Sequence, residues 1–267
     1  MDDNTIDLEL ERPHSARMYD YYLGGRTNFA ADREAVGTIM ALFPAVLVAA
    51  RANRDFMHRS TRYLAQAGLR QFLDIGTGIP TSPNLHEIAQ REVPEAAVVY
   101  VDNDPIVLVH AQALLASSPQ GSTAYAQADL KDPAAVLATA AVQALDLTRP
   151  VALSLNAVLH FITDEDGAHA IVDQLKRALA PGSALIISHG TPDFAPDASR
   201  KVGDVYRNAG TSTRARTRTE IAEFFTGWDL VEPGITATHR WRPEPTEMFS
   251  DVTDSEAACY AAVAIKP

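Results

Sequence analysis

The chain has 267 residues, 46% hydrophobic and 21% charged, a composition that fits one large soluble α/β domain or one domain with an extension. Its 23 basic and 34 acidic side chains give a net charge of −11, which argues against nonspecific binding to nucleic acid or anionic membranes but leaves room for a local basic patch. The single cysteine, Cys259, excludes an intrachain disulfide framework and, within the apolar run "ACYAAVAI", reads as a small core residue.

The first residues, "MDDNTIDLELERP", are acidic and lack an apolar h-region, so they do not read as a signal peptide; the cytoplasm is the expected location. Residues 1–68 read as a helical extension. Ser15 is expected to cap a short helix that stops at Leu23, before Gly24 and Gly25. Asn28 suits the cap of a second helix running to Leu42, and Pro44 suits the first turn of a third that ends at Gly68. The stretch "IMALFPAVLVAA" is broken by Pro44 and followed by Arg51 and Arg54, so it reads as a pair of core helices and not a membrane span.

From residue 69 to 267, strand and helix patterns alternate. Strands are expected at 71–75, 98–102, 123–127, 151–155, 184–188, 228–231 and 259–265. Ser82-Pro83, Asp104-Pro105 and Asp132-Pro133 each offer a capping side chain followed by proline, and Thr163 with Asp166 and Thr217 with Glu220 read as capping boxes. These lie just past strand ends, the edge where an open α/β sheet binds ligands. Alternation of this kind implies an α/β fold, a mostly parallel sheet with helices on both faces. The segment 232–258 carries no strong helix signal, and an antiparallel last strand fits after it.

The runs "FLDIGTGIPT" and "VVYVDNDP" carry the chemical signal. A strand feeding a glycine-rich turn brings backbone N–H groups close to a ligand. A second strand ending in an acid places an acceptor where a ribose would lie. The turn Gly76-Thr77-Gly78-Ile79-Pro80-Thr81 lacks the third glycine of a dinucleotide site. Asp74, at the strand tip, would repel a pyrophosphate and attract an ammonium or sulfonium. This favours S-adenosylmethionine over NAD.

"FLDIGTGIPT", "VYVDNDP" and "AQADLKDP" resemble the successive cofactor motifs of class I S-adenosylmethionine-dependent methyltransferases. "PHSARMYDYYLGGRTNFAADRE" is similar to the N-terminal signature of an actinobacterial family of S-adenosyl methyltransferases, formerly a domain of unknown function; "VLHFITDEDGAHAIV", "HRWRP" and "YAAVAIKP" resemble it too. The resemblance implies a Rossmann-like, seven-stranded, mostly parallel sheet with an antiparallel last strand, and S-adenosyl-L-homocysteine as cofactor product. It implies that Asp74 and the backbone at Gly76, Thr77 and Gly78 hold the methionine moiety. Asp102 would take the ribose hydroxyls, Asn103 would flank the adenine, and Asp129 with the backbone of Leu130 would meet the adenine amino group. Asn156 would lie under the methionine or sulfonium end. The N-terminal segment would close over the cofactor, making Arg17, Tyr21, Tyr22, Gly24 and Asn28 pocket residues, with Arg17 as partner for the methionine carboxylate. Pro80 departs from the general pattern and leaves the backbone path near that carboxylate open.

Structural readings stand beside these. Asp104 reads as a helix cap; Asp102, Asp129 and Asn156 could also serve turns. His160, one helical turn past Asn156, is the candidate general base, against the alternative of a hydrogen-bonded core histidine. His189 has a similar placement, and His14 reads as structural. The arginines of "RANRDFMHRSTR" and "TRARTR" read as solvated charges, though the second cluster could meet an acidic substrate. No residue set has metal-ligand spacing. The expected reaction is direct in-line methyl transfer to a small molecule, possible as part of secondary metabolism, in a pocket formed by the N-terminal helices and the segments 157–165, 190–218 and 232–258. A noncatalytic S-adenosylmethionine-binding regulator and an NAD-dependent oxidoreductase are the alternatives. Oligomeric state is left open.

Overall fold

The computed structural model describes residues 10–107, 117–244 and 251–267. The body of the helix expected after Pro105, the acidic segment 1–9 and part of the 232–258 connection lie outside the described residues. Three helices come first: α1 (Ser15–Tyr22), α2 (Ala30–Leu42) and α3 (Val46–Gln66). The strands are β1 (Gln71–Ile75), β2 (Ala97–Asp102), β3 (Ser122–Gln127), β4 (Ala152–Asn156), β5 (Ala184–Gly190), β6 (Asp229–Leu230), β7 (Thr236–Ala237) and β8 (Cys259–Ile265). Between and after them lie α4 (Leu85–Glu92), α5 (Pro133–Ala138), α6 (Ala140–Gln143), α7 (Ala168–Arg177), α8 (Pro196–Asn208), α9 (Arg218–Glu223) and α10 (Asp254–Ala257).

The strand order is β3-β2-β1-β4-β5-β8-β6, and β7 pairs with the same β8. Strands β1 to β5 are parallel, whereas β8 runs antiparallel to β5, β6 and β7. The expected strand at 228–231 is therefore shorter, and Thr236–Ala237 shares its place along β8. The sheet separates two apolar layers with the strand period of two. Leu73, Ile75, Val99, Val101, Leu153 and Leu155 face α5, α7 and α9, while Phe72, Val98 and Tyr100 face α3 and α4. Both faces are covered, which is why the strands read as near-continuous apolar runs.

Local capping differs from expectation at four helices. His14, not Ser15, is the N-cap of α1, its Nδ1 accepting the Ala16 N–H at 3.3 Å. Helix α2 starts after Phe29, because the Asp32 carboxylate reaches back to the Phe29 N–H. Helix α4 starts at Leu85, with Asn84 and Glu87 forming a reciprocal cap, so Ser82-Pro83 precedes the helix and does not open it. Thr163 and Asp166 bond as expected but close a turn, and α7 begins after Gly167, at φ +82°. Asp132 and Thr217 cap α5 and α9 as expected. Helices α2 and α3 meet at 102°, and among the described residues no single helix is long and apolar enough to cross a membrane.

Helix α3 joins the N-terminal segment to the sheet. Phe56 packs edge-on against Trp241 at 5.4 Å between ring centroids. Arg59 is buried and donates to the carbonyls of Trp241 at 2.8 Å and Thr238 at 2.7 Å, so it is not one of the solvated charges expected for this helix. The segment before it is organised by two buried carboxylates. Asp20 accepts the Thr27 N–H and the Asn28 amide, both at 2.9 Å, and a Cβ at Gly25 would run into it. Asp32 accepts from His14 N at 2.9 Å, Phe29 N at 2.8 Å and Arg17 Nε at 3.3 Å.

Removing one member of a buried ion pair leaves an uncompensated charge, at a cost of about 3–5 kcal/mol. The variant Asp32→Ala is expected to lose stability of that order in urea denaturation. A loss below about 1 kcal/mol, the usual range for exposed pairs, would show that Asp32 does not organise this segment.

Candidate active site

The carboxyl ends of the parallel strands open into a cavity of about 980 Å³. That is the upper end of the roughly 300–1,000 Å³ spanned by small-molecule pockets. It lies where the strand order reverses, between β1 and β4, the position at which open α/β sheets bind ligands.

Asp74 is the buried penultimate residue of β1. Its Oδ1 accepts from Ser154 Oγ at 2.6 Å, and Ser154 Oγ accepts from Asn156 Nδ2 at 2.9 Å. Burial raises the Asp74 pKa above the usual carboxylate range, and hydrogen bonds from Ser154 and Thr77 oppose the rise. Asn156 Oδ1 is buried without a hydrogen-bond partner among the described residues. Chain reversal follows at once, because Ala157 takes the left-handed conformation at φ 53°.

The glycine turn is tied to β2. Gly76 N and Thr77 N both donate to Val101 O, and Gly78 N donates to Asp102 Oδ2 at 2.8 Å. Gly78 has φ +66°, with no atom within 4 Å of the place a Cβ would occupy. Asp102 Oδ1 accepts the Asp104 N–H at 2.9 Å, and burial raises the Asp102 pKa. Asp104 caps the next turn through Ile106 N at 2.8 Å and lies 3.1 Å from His14 Nδ1, which links the first helix to the carboxyl end of β2. Asp129 lines the cavity while its Oδ1 accepts the Lys131 N–H at 2.9 Å, so it serves a turn as well.

Asp74, Gly76, Thr77, Gly78, Asp102 and Asn103 converge on this cavity, as do Asp129, Leu130, Asn156, Arg17, Tyr22 and His160. Tyr21, Gly24 and Asn28 are not among its lining residues. Asn28 is engaged with Asp20 and the Gly25 carbonyl, Tyr21 packs on the α1–α2 cluster, and Gly24 is an exposed turn at φ +81°. Arg17 reaches the wall, but its Nε pairs with Asp32 and its Nη2 donates to Arg12 O at 2.6 Å. Among the described residues of the segment 232–257 none lines the cavity, whereas Ala258 and Cys259 are part of its wall.

His160 stands in the short helical turn after β4, with Nδ1 accepting the Gly190 N–H at 3.4 Å. Burial, then the nearby Arg216 charge, lower its pKa to about 4. His189 is fully buried outside the cavity, its Nδ1 bonding Gly190 O and its Nε2 bonding Arg216. Arg216 is itself buried and donates to Leu159 O, Ile162 O and Asp164 Oδ1. It is the internal brace of the loop after β4, not a solvated charge. No local sequence pattern distinguishes Arg216 from its neighbouring arginines.

The wall opposite the strands was not legible as a helix. Residues 196–208 form α8, whose Ser199, Val202, Gly203 and Tyr206 line the cavity at helical spacing. Pro196 at its first position was the available signal. Asn53 and Arg54 of α3 also face the cavity. Among the described residues no group of three or more His, Cys, Asp or Glu could hold a metal ion.

Acidic strand ends around a glycine turn, on this strand order, define a nucleoside-cofactor site of the class I methyltransferase type. Human N-acetylserotonin methyltransferase, solved with S-adenosylmethionine, shares the fold with a TM-score of 0.50 at 16% identity over 96% of this chain and 63% of its own. The chain belongs to the S-adenosyl methyltransferase family, whose family model matches residues 1–267. It is similar to a DUF574 family protein from Streptomyces avermitilis, at 51% identity over 98% of this chain and 100% of that one, with a TM-score of 0.95. It is also similar to a proposed methyltransferase from Thermobifida fusca, at 37% identity over 97% of each chain, with a TM-score of 0.89. Among curated proteins none matches it. The protein is thus a methyltransferase dependent on S-adenosylmethionine.

The buried histidines set an acid limit on the fold. The folded pKa of His160 is about 4 against an ordinary 6.5, so between those values the unfolded chain binds a proton that the native state does not. Stability from this group is full above pH 6.5 and is lost as the pH falls toward 4. The slope is about 1.4 kcal/mol per pH unit for each such histidine. His58, also lowered to about 4, acts with the same sign, and the raised Asp74 and Asp102 act with the opposite one. Comparing wild type with His160→Gln by denaturation from pH 7 to 4.5 isolates the first term. The variant is expected to lose less stability on acidification; identical pH dependence would mean that His160 titrates normally.

Proposed function

We propose that this cavity binds S-adenosylmethionine along the β1–β4 edge and transfers its methyl group to a small-molecule acceptor lying toward α8. The observation that carries the reading is the unpartnered, buried Asn156 Oδ1 beside Asp74. Together they offer two acceptors and no phosphate-binding group, which suits an ammonium and a sulfonium. In the same reading Asp102 accepts from the ribose hydroxyls through lone pairs that Gly78 and Asp104 leave open. Asn103, Asp129 and Leu130 flank the adenine. Helix α1 with Tyr22 and Arg17 covers the site as a lid, consistent with a division into residues 1–68 and 69–267.

When bound, S-adenosylmethionine supplies an electrophilic methyl group on a sulfonium. The chain's own contribution is to orient the two ligands and to exclude water. Orientation accounts for about 7–11 kcal/mol of barrier in such reactions. With Nδ1 accepting from Gly190, neutral His160 carries its proton on Nε2 and acts as a donor toward the cavity. Burial keeps it neutral at ordinary pH, and in this reading His160 positions the acceptor as a hydrogen-bond donor.

A ligand present at a hundred times its dissociation constant adds about 2.7 kcal/mol of stability. In a chain of this size that raises the melting temperature by roughly 2–4 °C per kcal/mol. S-adenosylhomocysteine is expected to give this shift and NADH none; the reverse pattern would refute the reading. Calorimetry on Asp102→Ala is expected to show cofactor affinity weaker by about 1.5–3 kcal/mol, the value of hydrogen bonds to a charged acceptor. Unchanged affinity would leave Asp102 with its turn role alone. Labelled product from S-adenosylmethionine and a small-molecule extract separates an enzyme from a binding regulator.

A further inference from the structure

Every carboxylate that lines the cavity lies on one side, where Arg54 and Lys131 also line it. The acidic lining residues Asp74, Asp102, Asp104 and Asp129 all stand at the ends of β1, β2 and β3. On the other side, α8 and the loop 209–215 present Arg200, Arg207 and Arg214 to the cavity, Arg12 joins them from before α1, and no carboxylate of these segments lines it. This arginine-lined wall occurs in a chain of net charge −11.

The carboxylates that pair with these arginines are not among the cavity-lining residues. Arg207 Nη2 meets Asp204 Oδ1 at 2.6 Å, and Arg214 meets Glu220 at 2.7 Å and Asp164 at 3.3 Å. These pairs fix the guanidinium groups without covering their cavity side. The Arg12 guanidinium has no hydrogen-bond or ion-pair partner among the described residues and lies over Gly210, where a Cβ would come within 2.7 Å of Nη2. Beside the arginines the wall is aromatic. Tyr22 and Tyr206 touch through their hydroxyls at 3.4 Å, and Phe161 meets Tyr206 at 5.3 Å between centroids.

We propose that the methyl acceptor is an anionic small molecule: a carboxylate or similar oxyanion on a flat apolar body. The anion faces Arg12, Arg207 and Arg214, and the body lies between Tyr22, Tyr206 and Phe161. The inference rests on the methyltransferase reading of the cavity and adds the acceptor's charge and shape to it. Guanidinium groups recognise carboxylates through paired N–H donors, and aromatic walls hold flat apolar bodies. The acidic strand edge keeps such an acceptor out of the cofactor half, while the cofactor's positive charge draws it toward the methyl group.

The test uses the full chain saturated with S-adenosylhomocysteine. Benzoate, 2-naphthoate and indole-3-acetate are titrated against their carboxamides by calorimetry at low ionic strength. The carboxylates are expected to bind about tenfold tighter or more, the ratio given by one charge-assisted hydrogen bond. That ratio is expected to fall toward one in Arg12→Gln/Arg207→Gln and in high salt. Equal affinities, a preference for amides, or no binding of any carboxylate overturns the proposal. Binding of S-adenosylhomocysteine is read first: its absence in the wild type refutes the cofactor reading, whereas its presence without a carboxylate preference refutes the acceptor proposal alone. If the double variant fails to bind S-adenosylhomocysteine, the salt dependence of the wild-type ratio decides.

Discussion

A carboxylate at the end of a buried strand is costly unless its acceptors are met by donors of the chain or of a ligand. Asp74 and Asp102 impose this constraint on the whole carboxyl edge of the sheet. Asp102 meets it with backbone, fastening the glycine turn after β1 to the start of the segment after β2. Asp74 meets it with Ser154, which turns Asn156 so that its carbonyl oxygen has no partner in the protein. The two acids are thus met by donors of the chain, and the atom left without a partner among the described residues is the Asn156 carbonyl oxygen beside Asp74.

The N-terminal helices follow from a second set of buried acids. Asp20 and Asp32 gather backbone N–H groups across the turn between α1 and α2, and Asp32 also holds Arg17. The conspicuous sequence of residues 13–34 is therefore largely a structural device. It sets α1 at the mouth of the cavity, with His14 against Asp104 and Tyr22 against Tyr206. Asn28 and Gly24 belong to that device and not to the cavity wall.

Much of the architecture was legible because both sheet faces are covered. Buried parallel strands are short apolar runs, and β1, β2 and β5 stood out with boundaries within a residue or two. The acids followed from the same runs, since Asp74 and Asp102 lie in the last two residues of β1 and β2 and Asp129 just past β3. What could not be read was anything fixed by tertiary pairing. Arg59 and Arg216 carry no local mark that separates them from exposed arginines nearby, because their carbonyl partners are distant in sequence. The β6–β7 edge is two residues in each piece and is defined by β8 rather than by its own pattern. Helix α8 was missed because its cavity face is mixed, with Ser199, Val202, Gly203 and Tyr206 giving no apolar stripe.

That helix has a consequence for how such a protein diversifies. No residue of α8 is fully buried, but Val202, Val205 and Tyr206 pack against the α1–α2 cluster, whereas Ser199, Arg200 and Gly203 line the cavity outside it. Substitutions at exposed positions outside that packing, such as Arg200, change stability by about half a kcal/mol or less. The strand edge opposite is the reverse, with Asp102, Asp104 and Asp129 bonded to the backbone of the turns and Asp74 to the neighbouring strand. One wall of the cavity can therefore be rewritten residue by residue while the other stays fixed. A lineage built on this chain can move between acceptors without rebuilding its cofactor site or risking its fold.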